Sequence, residues 1–166
     1  MKAFNSQRNV EAISELRTLV GRRTELLGKA NPSTFRAMSM LAIVYEQTKL
    51  DREAARVRKE LVEIAEKNYG LTHNITRHHR GKYCDLICKL DLWKEIEEIS
   101  ERIITQEDQY QIYEKWLVLL AYVSLLYSLN KQNKREKHVF INKQFGIYRR
   151  KIFKEDNVLK LALDQS

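Results

Sequence analysis

The sequence predicts an all-α protein whose antiparallel helical hairpins stack as a short solenoid of about seven to eight helices. Three observations predict this fold. Residues recur at a shift of 42 positions, so that Gly28 corresponds to Gly70 and Thr34 to Thr76. The chain has one Pro, five Gly and many strong helix formers, a composition that favours helices over strands. Apolar residues recur at helical spacing along most of the chain, which indicates amphipathic helices that need neighbouring units to cover them.

The period divides the chain, which we take as one domain over residues 1–166, into successive segments. The predicted segments are 9–28, 31–70, 73–106, a degenerate repeat at 109–153 and a C-terminal capping helix at 154–164. Residues 1–8 are too few for a first helix, and Val10–Leu27 has the pattern of the second helix of a hairpin. We therefore expect a piece of a longer array. The alternative is that this helix is a natural cap.

The second repeat contains signals for both of its helices. The segment Asn31-Pro32-Ser33 predicts a helix start, because proline suits the first turn and the serine hydroxyl can cap it. Asp51 is the predicted N-cap of a helix over Arg52–Asn68. Gly70 is the predicted left-handed residue that ends this helix.

The third repeat is predicted to form one helix from Asn74 to about Lys89 and a second from Asp91 or Leu92 to about Gln106. The second of these is strongly amphipathic. Its carboxylates at Glu95, Glu97 and Glu98 are interpreted as a solvated helix face.

The last quarter of the chain begins with an apolar segment and continues with a basic one. The segment Trp116–Leu129 is apolar nearly all round, which predicts a helix buried on both sides, either as the central helix of the C-terminal half or as one face of an interface. It is shorter than the roughly 20 residues that a membrane-spanning helix needs. A basic helix is predicted over Lys134–Lys151, and Asp156 is expected to cap the short terminal helix.

Residues of the second repeat also resemble a known family. The motif residues are Leu41, Ala42, Tyr45, Leu50, Glu53, Ala54, Tyr69 and Gly70. Their spacing resembles the long form of the tetratricopeptide repeat found in kinesin light chains, clearly over residues 9–106 and weakly over 107–153. The resemblance implies a right-handed solenoid that acts as a protein–protein interaction scaffold. Ser39 and Met40 stand where kinesin light chains usually have paired asparagines, so a cargo-peptide role is not implied.

Such arrays usually bind partners in a concave groove formed by the first helix of each repeat. The predicted partner-binding residues are Arg36, Ser39, Ile43, Glu46, His78, Lys82, Asp85 and Lys89. This mixed and mildly basic lining suits a peptide or partner helix with acidic side chains. The alternative is a solvated face without a dedicated ligand.

The charge balance also favours acidic partners. Lys and Arg outnumber Asp and Glu by 30 to 22, for a net charge of +8. A possible basic patch consists of Lys143, Arg149, Arg150 and Lys151. With the interleaved aromatics of this region, it motivates nucleic-acid binding as the alternative function. The competing explanation is that the aromatics belong to the core and the cations extend around them.

Neither a metal site nor a catalytic site is predicted. The candidate metal ligands are His73, His78, His79, Cys84 and Cys88. Cys84, however, occupies the small-residue position that Ala42 fills one repeat earlier, where cysteine acts as a small buried residue. The sequence has no recognisable set of nucleophile, base and orienting acid and no Gly-rich phosphate loop, so we predict neither an enzyme nor a cofactor.

Two cysteines and a polar N-terminus favour an intracellular protein, in the cytoplasm or the nucleus, without a membrane segment. An array that begins in the middle of a unit should expose Ile13, Leu16 and Val20. This predicts a homodimer or docking onto a larger parent protein. The alternative is a monomer that covers its own ends.

Overall fold

The structure, a computed structural model, describes the backbone of residues 2–110 and 115–163 and the side chains of residues 8–110 and 115–152. The helices are α1 (Lys2–Leu27), α2 (Pro32–Gln47), α3 (Asp51–Tyr69), α4 (Asn74–Lys89), α5 (Trp93–Thr105), α6 (Lys115–Lys131) and α7 (Arg135–Leu163), with a 3-10 turn at Glu107–Gln109. No strand occurs in the described ranges, and the predicted all-α class is confirmed. None of the helices described is long and apolar enough to cross a bilayer.

The helices belong to two compact units. Unit 1 covers Met1–Asp91 and contains α1 to α4, whereas unit 2 covers Leu92–Ser166 and contains α5 to α7. Within each unit, every helix packs mainly on the helix before it and the helix after it. Packing between consecutive helices is typical of helical repeat arrays.

The turns before α3, α5 and α7 repeat one backbone conformation at the 42-residue period. Lys49, Asp91 and Asn133 have positive φ angles of 63°, 54° and 56°. Each lies two residues before the first residue of the helix that follows it. A left-handed conformation costs a non-glycine residue roughly 1–2 kcal/mol, so its return at one position of the period indicates that the chain needs this turn before each of these helices.

The buried positions of α2, α4 and α6 follow the same period. The buried sets are Ala37, His79 and Ala121; Leu41, Tyr83 and Leu125; and Tyr45, Ile87 and Leu129. Val118 of α6 likewise lies where Thr34 and Thr76 lie in the earlier repeats, and all three are fully buried. Buried positions therefore recur at the 42-residue period even where the residue type changes. This explains why the sequence repeat is weak over 109–153.

The apolar face of α1 differs from the prediction. Ile13, Leu16 and Val20 are half-buried rather than exposed. Val20 packs against the core cluster that contains Leu61. The face is partly covered because α1 packs on α2, although Leu19 of the same helix remains exposed.

The starts of α2 and α3 correct two predicted caps. The side chain of Asn31, not the Ser33 hydroxyl, caps α2, because Asn31 Oδ1 accepts a hydrogen bond from the Ser33 backbone N–H at 2.9 Å. Leu50 is the N-cap of α3 and makes no side-chain cap. Asp51 lies inside the first turn, and its carboxylate accepts a hydrogen bond from Lys89 Nζ at 2.6 Å.

The C-terminal helix is longer than predicted. α7 runs without a break over Arg135–Leu163 and passes through position 154, where a separate capping helix was expected to begin. Neither a proline nor a pair of glycines interrupts this segment, and a single Gly146 is tolerated in a helix. Residue 164 and the side chains from 153 onward lie outside the described part of the chain.

Candidate protein-binding surfaces

The eight predicted groove residues lie on the outward sides of two neighbouring helices of unit 1. The rings of Phe35 in α2 and His79 in α4 meet edge to face, with centroids 5.0 Å apart. Six of the predicted residues are exposed and two, Ser39 and Glu46, are half-buried; the exposed six are Arg36, Ile43, His78, Lys82, Asp85 and Lys89. We call the eight residues the α2–α4 face.

A buried arginine beneath this face connects three helices. Arg58 of α3 is only 2% exposed. Its Nε donates a hydrogen bond to Glu46 Oε1 in α2 at 2.7 Å, and its Nη1 lies 3.2 Å from His79 Nδ1 in α4. Glu46 is therefore neutralised from inside the protein, and this reduces the negative charge that the α2–α4 face presents.

Burial keeps His79 neutral. Desolvation is the main cause that lowers the pKa of His79 to about 4, and the positive charge of Arg58 and the nearby His78 act in the same direction. A neutral imidazole can accept the Arg58 hydrogen bond at Nδ1. His79 is thus a structural contact between helices and not an exposed ligand.

Two further residues of the α2–α4 face also have partners within unit 1. Lys89 pairs with Asp51, and the Ser39 hydroxyl donates a hydrogen bond to the Phe35 carbonyl at 2.9 Å. The side chain of Ile43 supplies an exposed apolar surface on the same face. Besides the paired Glu46 and Lys89, the α2–α4 face carries two cations, Arg36 and Lys82, and one carboxylate, Asp85. The net charge of the face is therefore mildly positive.

In unit 2 the prediction that Trp116–Leu129 is buried on both sides is wrong. Trp116, Leu120, Val123 and Tyr127 are each 51–54% exposed. Their spacing of four, three and four residues places them in one line along α6. We call these four residues the α6 stripe. Leu120, Val123 and Tyr127 occupy the same positions of the 42-residue period that the predicted groove residues Arg36, Ser39 and Ile43 occupy two repeats earlier.

Neighbouring side chains hold one end of the α6 stripe. The rings of Tyr127 and Trp93 meet at an angle of 70° with centroids 5.5 Å apart. Lys131 Nζ lies 5.3 Å from the centroid of the Tyr127 ring, within the range of a cation–π interaction. These two contacts restrict the orientation of the Tyr127 ring, although about half of the side chain is exposed to solvent.

Glu97 was predicted to lie on a solvated face, and this is wrong. It is 5% exposed and accepts hydrogen bonds from Lys134 at 2.6 Å, Lys137 at 2.5 Å and Gln132 at 2.9 Å. Burial alone would raise the pKa of Glu97, but these hydrogen bonds outweigh it and hold the pKa at about 2. This buried ionic cluster joins α5 to the start of α7.

The four cations of the predicted basic patch are exposed on α7 but point in different directions. They are Lys143, Arg149, Arg150 and Lys151. At about 100° per residue, Arg149 and Lys151 project on opposite sides of Arg150. Lys151 Nζ also lies 3.7 Å from Glu107 Oε1. The cations do not form a single compact patch.

The aromatic residues of α7 divide between core and surface. Phe145 and Tyr148 pack their rings on Tyr122 with centroid distances of 5.6 and 5.5 Å. Phe140 is exposed. Core packing therefore accounts for two of these aromatics.

The candidate metal ligands have other roles or lie apart. His73 Nδ1 accepts a hydrogen bond from the Ile75 N–H at 3.2 Å and caps α4. Cys84 is half-buried rather than fully buried, and Cys88 is exposed. Burial, with Asp85 and Asp91 nearby, raises the pKa of the Cys88 thiol. In the part of the chain that the structure describes, no three His, Cys, Asp or Glu side chains gather as metal ligands would.

Comparison with solved structures identifies the fold. A Podosopora anserina protein described as a kinesin light chain with nearly identical TPR-like repeats matches with a TM-score of 0.60 and 17% identity, over 88% of this chain and 69% of that one. A variant of that protein with a single substitution matches with a TM-score of 0.58 and 17% identity, over 90% and 70% of the respective chains. No protein-family model and no curated protein matches the sequence. The chain therefore has a tetratricopeptide-like repeat fold, as the sequence predicted.

Proposed function

We propose that this chain is a protein-interaction scaffold whose α2–α4 face binds a peptide or partner helix of acidic character. The observation that carries the proposal is the pairing of Glu46 with the buried Arg58. With Glu46 neutralised, the α2–α4 face carries the exposed cations Arg36 and Lys82, the exposed carboxylate Asp85 and the exposed apolar side chain of Ile43. Cations beside an apolar surface suit charge-assisted docking of an acidic peptide, and tetratricopeptide-like folds are commonly interaction scaffolds.

Fluorescence anisotropy with labelled peptides tests this proposal. The probes are a 15-residue peptide that alternates Glu with Leu and Ala, and its counterpart with Lys in place of Glu. We expect the acidic peptide to bind more tightly. The double variant Arg36→Ala/Lys82→Ala should weaken its binding about fivefold or more, since each lost charge contact contributes a modest amount. Lys67→Ala removes an exposed cation of α3 and serves as the control. Equal binding of both peptides would contradict the proposal.

Nucleic-acid binding is the second candidate, because Phe140, Lys143 and Arg150 are exposed on one side of α7. An exposed aromatic can stack on a base while cations contact phosphates. If this function is correct, a 20-nucleotide single-stranded RNA should bind with an affinity that falls linearly with the logarithm of salt concentration. The Lys143→Ala change should reduce that slope by about one. A flat salt dependence would remove this candidate.

The two cysteines bear on where the protein works. Cys84 and Cys88 are free thiols, which suits a reducing compartment such as the cytoplasm or nucleus.

The helix α1 is the proposed site of self-association or of docking onto a larger protein. Such a contact would use its exposed apolar residues Val10 and Leu26. Light scattering over a concentration series tests this: a mass that rises with concentration in the wild type, and not in Leu26→Glu, would support the contact.

A further inference from the structure

We infer that the α6 stripe is a second binding site, in unit 2, for an amphipathic α-helix that carries acidic residues. This inference rests on the proposed role as an interaction scaffold but uses a different surface from the α2–α4 face. Four large apolar side chains, Trp116, Leu120, Val123 and Tyr127, are half-exposed in one line. Scattered exposed apolar residues are normal on a protein, whereas a contiguous line of four is typical of a contact surface.

The spacing of the stripe indicates that its occupant is helical. Residues four, three and four positions apart form the seam along which two helices pack with a small crossing angle. From Trp116 to Tyr127 the stripe extends about 16 Å, which corresponds to three turns of a partner helix. A partner with its own apolar residues at this spacing can interdigitate with all four side chains. An extended strand, whose side chains alternate every second residue, matches this seam poorly.

The charges of α6 indicate that the partner is acidic. α6 begins at Lys115, ends at Lys131 and contains no acidic residue. Lys131 lies over the Tyr127 ring at one end of the stripe. A carboxylate on the partner helix would meet this ammonium group at the edge of an apolar contact, where charge complementarity selects partner and orientation.

The same charges disfavour a second copy of this chain as the occupant. In a parallel pair of α6 helices the two Lys131 ammonium groups would meet, and α6 contains no acidic residue that would offset them. The whole chain carries a net charge of +8, which also disfavours pairing with a second copy.

The experiment is a titration with three synthetic 18-residue helical peptides. The first has Leu at positions i, i+4, i+7 and i+11 with Glu on both flanks. The second has the same composition with Leu distributed around the helix, and the third has Lys in place of Glu. Binding is followed by the anisotropy of the labelled peptide and by the emission of Trp116, with a Trp116→Phe variant to assign the signal.

We expect the first peptide to bind at least tenfold more tightly than either of the others. Leu120→Glu should weaken this binding at least tenfold, because it places a carboxylate at the centre of the contact. The matched control is Val139→Glu, which changes a 69% exposed apolar residue of α7 in the same way and should alter the affinity less than twofold. Circular dichroism of both variants checks that they remain folded.

The outcomes separate this inference from the proposed function. If Leu120→Glu has no effect and Arg36→Ala/Lys82→Ala abolishes binding, the α2–α4 face binds the peptide and the inference about α6 is wrong. If the peptide with scattered Leu binds equally well, helical register is not recognised and the inference is also wrong. If the wild-type chain self-associates and Leu120→Glu alone prevents it, the occupant is a second copy and not an acidic partner.

Discussion

Replacing Glu97 by Gln removes a buried negative charge while it keeps nearly the same side-chain shape. In the folded protein the pKa of Glu97 falls from its ordinary 4.5 to about 2. At about 1.36 kcal/mol for each tenfold change, this corresponds to roughly 3 kcal/mol of stabilisation of the charged carboxylate. Lys134 and Lys137 are about 40% exposed and can turn to water, so we expect Glu97→Gln to cost about 2–3 kcal/mol at pH 7.

Urea unfolding followed by circular dichroism from pH 7 to pH 2 measures this cost. Because the pKa of Glu97 is lowered by folding, its stabilising contribution is complete above about pH 4.5 and is lost as the pH falls toward 2. The difference in unfolding free energy between wild type and Glu97→Gln should therefore shrink to near zero at pH 2. Glu98→Gln changes an exposed neighbour and should cost less than about 1 kcal/mol. A pH-independent difference, or an equal cost for both variants, would refute the assigned ionic cluster.

Three other predictions concern the core, the buried histidine and the hairpin turns. Ala54 is completely buried, so Ala54→Leu should overpack and lower the unfolding free energy by about 1–3 kcal/mol; an unchanged thermal unfolding temperature would contradict the packing. The pKa of His79 is lowered from 6.5 to about 4, so its neutral form should stabilise the fold above pH 6.5 and that contribution should decline as the pH falls toward 4; NMR titration of its ring should give a midpoint near 4. Lys49 has a φ of 63°, so Lys49→Gly should raise the unfolding free energy by up to about 1 kcal/mol, and Asn133→Gly by less, because asparagine tolerates this conformation better than lysine; chemical unfolding of the two variants gives the comparison.

The sequence predicted the helices well because two independent signals agreed on them. The 42-residue recurrence and the helical spacing of apolar residues both placed α4 over Asn74–Lys89, and the structure has the same bounds. The end of α3 was predicted nearly as well, since the helix ends at Tyr69 and Gly70 follows it as the C-cap. Gly70 has the positive φ of 85° that glycine adopts readily, but its ψ of 171° lies outside the left-handed helical region that was predicted. Cap residues were less predictable. Asp51 is a good N-cap by type, but the left-handed Lys49 ends the turn one residue earlier and leaves Asp51 inside the helix.

The surfaces were harder to predict than the helices. Glu97 has the local pattern of an exposed helix residue, and its partners come from positions 35 to 40 residues later in the chain. Only the folded unit brings them together. The opposite error concerned α6, whose apolar residues all round predicted burial on both sides. In the described part of unit 2, α6 packs on α5 and α7, and the side that carries the α6 stripe is exposed. The 42-residue shift could have found the α6 stripe, because Leu120 and Tyr127 correspond to the predicted groove positions His78 and Asp85.

The left-handed residues Lys49, Asp91 and Asn133 also mark equivalent points of the 42-residue period at which one whole period can be removed in register. Removal of residues 50–91 would join Lys49 directly to Leu92, which occupies the same place before α5 that Leu50 occupies before α3. Such a junction keeps all later residues in the register of the period. A deletion of one residue inside a helix would instead rotate the rest of that helix by about 100° and move its core residues toward the surface. We therefore expect the chain to tolerate the loss of 42 residues between two of these points better than the loss of one residue within a helix.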